Sequence, residues 1–191
     1  ATDWIATDRL ADLWARGVLA EHFRWADLEQ HHYSQHTYDR LLVAATLAPI
    51  PNRVPTARRH ELRPVALERA LEMLRLLMGE AEVMVQKALS WAIREWTPVD
   101  AAATAAFLRA EADIAASDAD GASAWVIRDT LAKQPPDLAA ELRLRLEGVR
   151  RDRRAPSTSI ASAQAAAFTA ELATSNDAVA AQGDRYTRSR A

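Results

Sequence analysis

The chain has no cysteine, which excludes disulfide frameworks and thiolate metal sites. Glycine is scarce, at five of 191 residues, and aromatic residues make up only 6%. No apolar run is long enough to span a bilayer, and nothing has the layout of a signal peptide. We therefore expect a soluble protein of the bacterial cytoplasm, without a membrane partner. No segment alternates convincingly enough to be a strand. The P-loop, the dinucleotide fingerprint and the nucleophile elbow are all missing, so phosphate-loop, dinucleotide and serine-hydrolase chemistry lack their motifs.

What is present is alanine and helical periodicity. Hydrophobic residues reach 49%, enough for a sizeable core, and the balance favours packed helices over sheets. The spacing predicts helices over 2–16, 24–32, 36–48, 56–79, 80–96, 99–116, 121–133 and 136–149. Pro49, Pro51 and Pro55 end one of them and bar a quick restart. Gly79 stands where a C-terminal cap belongs, and Thr97-Pro98-Val99-Asp100 reads as a stop followed by a new start. Short amphipathic helices joined by brief turns fit a bundle or a solenoid of helical pairs. The pairs have about the length of HEAT or armadillo repeats, with weak self-similarity. We expect one helical domain over 1–154 and a Ser/Ala-rich, disordered tail over 155–191, with a frayed helix at 163–173. The chain opens at Ala1, directly in a helix, and an N-terminal part is expected to be missing.

The net charge of −2 argues mildly against generic nucleic-acid binding. Its distribution is uneven, however. Arg53, Arg58, Arg59, Arg63, Arg69 and Arg75 crowd one region, and Arg143, Arg145, Arg150, Arg151, Arg153 and Arg154 another. Local fields steer an anion more than the sum does, although an arginine run is most often a solvated helix face.

One aromatic stands on the wrong side of its helix. With about 100° per residue, Val85, Leu89, Ala92 and Trp96 fall on one stripe. Lys87, Trp91 and Arg94 fall together on the far side. An indole between two cations suits a flat anionic ligand; packing of Trp91 against a neighbouring helix is the plainer reading. Trp4 and Asp8, four apart, project from one face one turn from each other. A carboxylate beside an indole stabilises positive charge by Coulomb attraction and cation–π contact. Asp8 is equally readable as a first-turn acid favoured by the helix dipole, with Trp4 as core. Arg40 leads an apolar helix and either grips a phosphate or pairs with Asp39 or another acid. His31, His32 and His36 invite a metal, but no acid spacing completes a ligand set, and a solvated turn is the stronger reading.

Three segments together resemble the DNA alkylation repair family, the HEAT-like bacterial alkylpurine DNA glycosylases. They are Asp3-Trp4-Ile5-Ala6-Thr7-Asp8-Arg9-Leu10-Ala11, Tyr38-Asp39-Arg40-Leu41-Leu42-Val43, and Val85-Gln86-Lys87-Ala88-Leu89-Ser90-Trp91-Ala92-Ile93-Arg94-Glu95. In the second, Tyr38-Asp39 stands where the family tends to have Trp-Leu. The resemblance covers about residues 3–133 and implies an all-α superhelix of paired antiparallel helices. In that family a concave cationic groove holds duplex DNA. It implies Asp8 as the catalytic carboxylate, Trp4 and Trp91 as the aromatic pair beside the lesion, and Arg40 as a backbone contact. Lys87 and Arg94 would line the same wall. No cofactor or metal is implied, the partner is double-stranded DNA with alkylated purines, and a monomer is expected. A non-catalytic HEAT-like protein for bent or branched DNA is the alternative, and a scaffold for protein partners the third reading.

Overall fold

A computed structural model describes residues 3–21, 24–172 and 174. Among them the secondary structure is entirely helical. The helices are α1 (Trp4–Ala20), α2 (Arg24–Gln30), α3 (Thr37–Leu47), α4 (Glu68–Leu77), α5 (Val83–Trp96), α6 (Ala101–Ser117), α7 (Gly121–Thr130) and α8 (Pro136–Arg145). A further helix, α9, covers 160–172.

Acidic caps start four of them. Asp3 accepts from the Ala6 amide at 2.8 Å, Glu82 from Met84 at 3.2 Å, and Asp100 from Ala103 at 2.9 Å. Asp120 takes the amides of Ala122 and Ser123. Each cap satisfies donors that the first turn leaves open, a contribution of about 1 kcal/mol. Several boundaries differ from the sequence expectation, two of them for a clear physical reason. α1 runs through Gly17 to Ala20, because the Glu21 amide still reaches the Gly17 carbonyl. The helix expected over 56–79 is instead a 3-10 stretch, Thr56–Leu62, then a wide turn, Arg63–Leu67, before α4. Pro64 lacks the amide that a regular helix would use there, so the backbone widens around it.

The helices pack in two layers. α1, α3, α5 and α7 lie side by side in one row, and α4, α6 and α8 form the row behind, with α2 against α1. The two rows make an all-α array of packed helices, as a superhelical fold requires. α3 is sandwiched so completely that every residue from Arg40 to Leu47 is buried. Val85, Leu89, Ala92 and Trp96 are fully buried, as the α5 wheel requires. Trp96 also donates from its indole nitrogen to the Leu47 carbonyl at 2.9 Å, which fastens α5 to the end of α3. No helix among the described residues is long and apolar enough to cross a membrane.

The segment expected as a tail from Ala155 begins as a packed strap. The chain turns at Gly148 (φ +85°) and passes the start of α7 so closely that a side chain at Gly121 would collide with the Arg150 carbonyl. It then crosses the α4–α5 corner, where the Thr158 amide donates to the Gly79 carbonyl at 3.0 Å. Gly79 has φ +86° and no room for a Cβ, so the corner needs glycine on both counts. The Ser159 hydroxyl donates to Glu80 at 2.8 Å and caps α9, which buries Ala161 and Ala165. Composition hides these bonds, since Ser and Thr read as linker. Residues 175–191 of the expected tail lie outside the described residues.

Candidate nucleic-acid interface

Six of the singled-out side chains belong to the α1–α3–α5–α7 layer, and the layer divides them into three groups. On α1, Trp4 and Asp8 share a surface hollow with Ile5, Arg9, Asp12 and Leu13. Trp4 is 48% exposed, so it is not core. Asp8 lies beyond the first turn, and Asp3 supplies the cap; the helix-dipole reading of Asp8 therefore lapses. The two carboxylates of this face differ in circumstance. Asp12 is neutralised by Arg16 at 3.0 Å and by Arg53. Asp8 makes no hydrogen bond or ion pair among the described residues, and partial burial raises its carboxyl above the ordinary aspartate value. Asp8 is exposed, so its carboxylate beside the exposed Trp4 indole is open to a cationic ligand.

The second group is on α5. Lys87 and Trp91 are exposed and Arg94 is half-buried, on the side of the helix away from its core stripe. Trp91 is 37% exposed, so its ring is partly covered and partly open to solvent. Arg94 crosses to α7, where its Nη1 donates to the Asp129 carboxylate at 2.7 Å and to the Asp129 carbonyl at 3.0 Å. The Ser90 hydroxyl donates to the same carboxylate at 2.6 Å. Burial on its own would raise the Asp129 carboxyl; the Ser90 hydroxyl, the Arg94 guanidinium and the Lys87 charge outweigh it and hold it below the ordinary value. Only Nη1 of Arg94 is engaged among the described residues, so Nε and Nη2 keep donors for an anion.

Arg40 belongs to neither group, and the backbone contact expected of it is corrected. It is 6% exposed. Its Nε and Nη2 donate to Glu80 at 2.7 and 3.3 Å, and its Nη1 to the Ser34 and Gln35 carbonyls. A guanidinium this buried, with four of its five N–H donors committed inside the protein, is a structural clasp rather than a surface contact for a phosphate. His31 and His32 also differ from a solvated turn, whereas His36 is exposed. His32 is buried between the Glu29 and Met73 carbonyls, 3.0 and 2.9 Å from its ring nitrogens, and burial lowers its pKa. His31 stands edge-on to Trp14. Among the described residues no group of three or more His, Cys, Asp or Glu side chains is placed to hold a metal ion.

Asp129 and Trp125 are the site residues that sequence reasoning missed, and a signal for them exists. Trp91-Ala92-Ile93-Arg94-Glu95 on α5 and Trp125-Val126-Ile127-Arg128-Asp129 on α7 are nearly the same pentad. Trp4-Ile5-Ala6-Thr7-Asp8 on α1 shares its two ends. Three helices of one layer thus present an indole with an acid one turn later. A tryptophan stacked under a cation completes the row: the Arg151 guanidinium lies over the Trp125 ring, 5.1 Å from its centre.

A family model described as DNA alkylation repair enzyme matches residues 1–134. No curated protein and no solved structure matches the chain.

Proposed function

The chain belongs to the family of DNA alkylation repair enzymes, and from that premise we propose a monofunctional glycosylase that releases purines alkylated at N3 or N7 from duplex DNA. Such a base is already cationic, which weakens its glycosidic bond. As that bond breaks, its electron pair leaves with the base, which departs neutral, and positive charge develops on the sugar. Water then attacks the anomeric carbon and loses a proton to solvent. The task left to the protein is to stabilise an oxocarbenium-like state and to position the water.

Asp8 fits that task. Its carboxylate has no hydrogen-bond or ion-pair partner among the described residues, so its charge is available to the sugar. Trp4, one turn away, and Trp91 offer indole faces whose cation–π attraction is about 0.5–2 kcal/mol each, depending on desolvation. Lys87 and the uncommitted donors of Arg94 serve the phosphates flanking the lesion. Arg40 acts only through the scaffold, by fixing the start of α3 to the α4–α5 corner. The lesion is met at the remodelled duplex surface rather than in a deep pocket, and the reaction asks for neither a metal nor a lysine Schiff base. The observation that carries this reading is the exposed Asp8, without a hydrogen-bond or ion-pair partner among the described residues, beside exposed Trp4 and in the same helical layer as Trp91.

Release of 7-methylguanine from alkylated duplex tests it. The wild-type chain should release the base, and Asp8→Asn should slow release by about 10²–10³-fold with duplex affinity kept. Equal release by both proteins overturns the reading. Salt-sensitive binding with no release by either favours the non-catalytic DNA-binding alternative.

A further inference from the structure

We infer that the strap residues 150–154 form a second phosphate-binding element, which grips duplex DNA beyond the part of the chain that the repair family model matches. The inference rests on the DNA-repair reading and adds to it residues that lie after 134.

The first observation is a contrast among arginines. Elsewhere in the chain they are usually paired with a carboxylate, as in Arg63 with Asp100 at 2.8 Å, Arg109 with Glu141 at 2.8 Å and Arg145 with Asp113 at 2.6 Å. Arg150, Arg151, Arg153 and Arg154 form no ion pair among the described residues. The one acid between them, Asp152, is exposed and accepts the Arg154 amide at 2.8 Å in a local turn. Four arginines against one aspartate leave this pentapeptide at +3. So dense an unpaired charge raises the local potential and is complementary to a polyanion.

The second observation is that this charge is held in place. The strap is pinned at its start by the contact of the Arg150 carbonyl with Gly121, and at its end by Thr158 and Ser159 on Gly79 and Glu80. Between the pins, Arg151 lies over Trp125. A pinned cation loses less side-chain freedom on binding than a floating one.

The third observation is continuity. Trp125 stands one turn before Asp129 on α7, and Asp129 is the residue that Arg94 and Ser90 of α5 hold. The basic strap is therefore joined to the Lys87–Trp91–Arg94 face through Trp125 and Asp129, on neighbouring helices of one layer. A duplex seated on that face would meet the strap a few phosphates from the lesion. Phosphate contacts carry no sequence information, so the strap contributes affinity and register rather than lesion choice.

The test uses the full chain, plain and alkylated duplexes, and two variants. One replaces all four arginines with glutamine. The other is Arg153→Gln with Arg154→Gln, two exposed side chains with no hydrogen-bond or ion-pair partner among the described residues, so that folding is preserved. The four-residue variant should bind both duplexes about tenfold or more weakly at moderate salt. The slope of log affinity against log salt should fall by about one for each arginine that no longer meets a phosphate, hence by about two in the double variant. Single-turnover base release at saturating duplex should be unchanged. Affinity and slope equal to wild type in the double variant overturn the inference. The two readings fail separately: weakened binding in a chain that never releases a base keeps the strap and removes the glycosylase, and unchanged binding in a chain that does release it does the reverse.

Discussion

Arg40 at the start of α3 clasps Glu80 before α5 through two N–H donors, and both side chains are inside the protein. Glu80 Oε1 also accepts from the Ser159 hydroxyl at 2.8 Å. Arg40 Nη1 meanwhile holds the Ser34 carbonyl at 2.8 Å. One carboxylate thus ties together the head of α3, the α4–α5 corner and the strap that returns from α8. Buried charge is tolerated here because the two ions face each other and four of the five guanidinium donors find acceptors, while Ser159 adds a third hydrogen bond to the carboxylate.

Removing one side of that clasp should be costly. Glu80→Gln leaves the guanidinium inside without a counter-charge, and a loss of about 3–5 kcal/mol is expected. Replacing both residues, Arg40→Met with Glu80→Leu, should recover most of it, since neither charge then needs compensation. Urea unfolding of the three proteins measures this. An unfolding midpoint for Glu80→Gln equal to wild type would show that the clasp contributes nothing.

Asp8 should reveal itself through pH. Its carboxyl is raised by partial burial, so the ionised form costs stability above the unfolded pKa, and that cost fades as pH falls. Asp8→Asn should therefore leave neutral-pH stability unchanged or slightly improved, while base release falls. In the wild type, release should decline on the acid side at a pH above that of an unperturbed aspartate, because only the carboxylate stabilises the sugar cation. A rate profile flat down to the ordinary aspartate range would remove Asp8 from the chemistry.

The α5 face was legible because a 3.6-residue period separates inside from outside without knowledge of any other helix. Val85, Leu89, Ala92 and Trp96 are inside, and Lys87 and Trp91 are outside. Arg40 was not legible. Its partner is forty residues away, and along the chain it looks like a cation beside Asp39 at the head of an apolar helix. His32 misled for the same reason, since the Met73 carbonyl that shelters it comes from α4. Ser157-Thr158-Ser159 has the composition of a linker, and its bonds to the α4–α5 corner leave no local trace. Trp125 and Asp129 were readable in principle, because their pentad repeats the one on α5. A repeat of five residues in helices of unequal length is easily lost.

The two exposed and buried tryptophans of α5 should part company under substitution. Trp96 is fully buried and bonded to Leu47, so Trp96→Ala removes a large side chain from the core and should cost about 3–5 kcal/mol. Trp91 is 37% exposed and outside the buried core, so Trp91→Ala should cost clearly less stability than Trp96→Ala. Its removal should appear in DNA work instead. Cation–π attraction of about 0.5–2 kcal/mol corresponds to roughly two- to thirtyfold in base release. Thermal unfolding and single-turnover release on the same two variants separate the roles. A Trp91 variant that unfolds early, yet releases base normally when folded, would make that ring structural.

Asp129 and Glu111 offer opposite pH signatures. The Asp129 carboxyl is held low because Ser90, Arg94 and Lys87 together outweigh its burial. Its stabilising contribution is therefore present above the unfolded pKa and is lost as pH falls through the lower folded value. Glu111 is pushed up by burial, against the pull of Arg75 at 2.9 Å. Ionising it works against folding, so its charge becomes a growing cost as pH rises from the unfolded value to the raised folded one. Asp129→Asn should accordingly destabilise most at neutral pH, with the deficit shrinking in acid. Glu111→Gln should compare least favourably with wild type in acid and more favourably as pH rises. Denaturant unfolding of both variants across that range gives two difference curves of opposite slope. Parallel curves would mean that the α5–α7 contact does not hold the Asp129 charge, and that Arg94 is free of it.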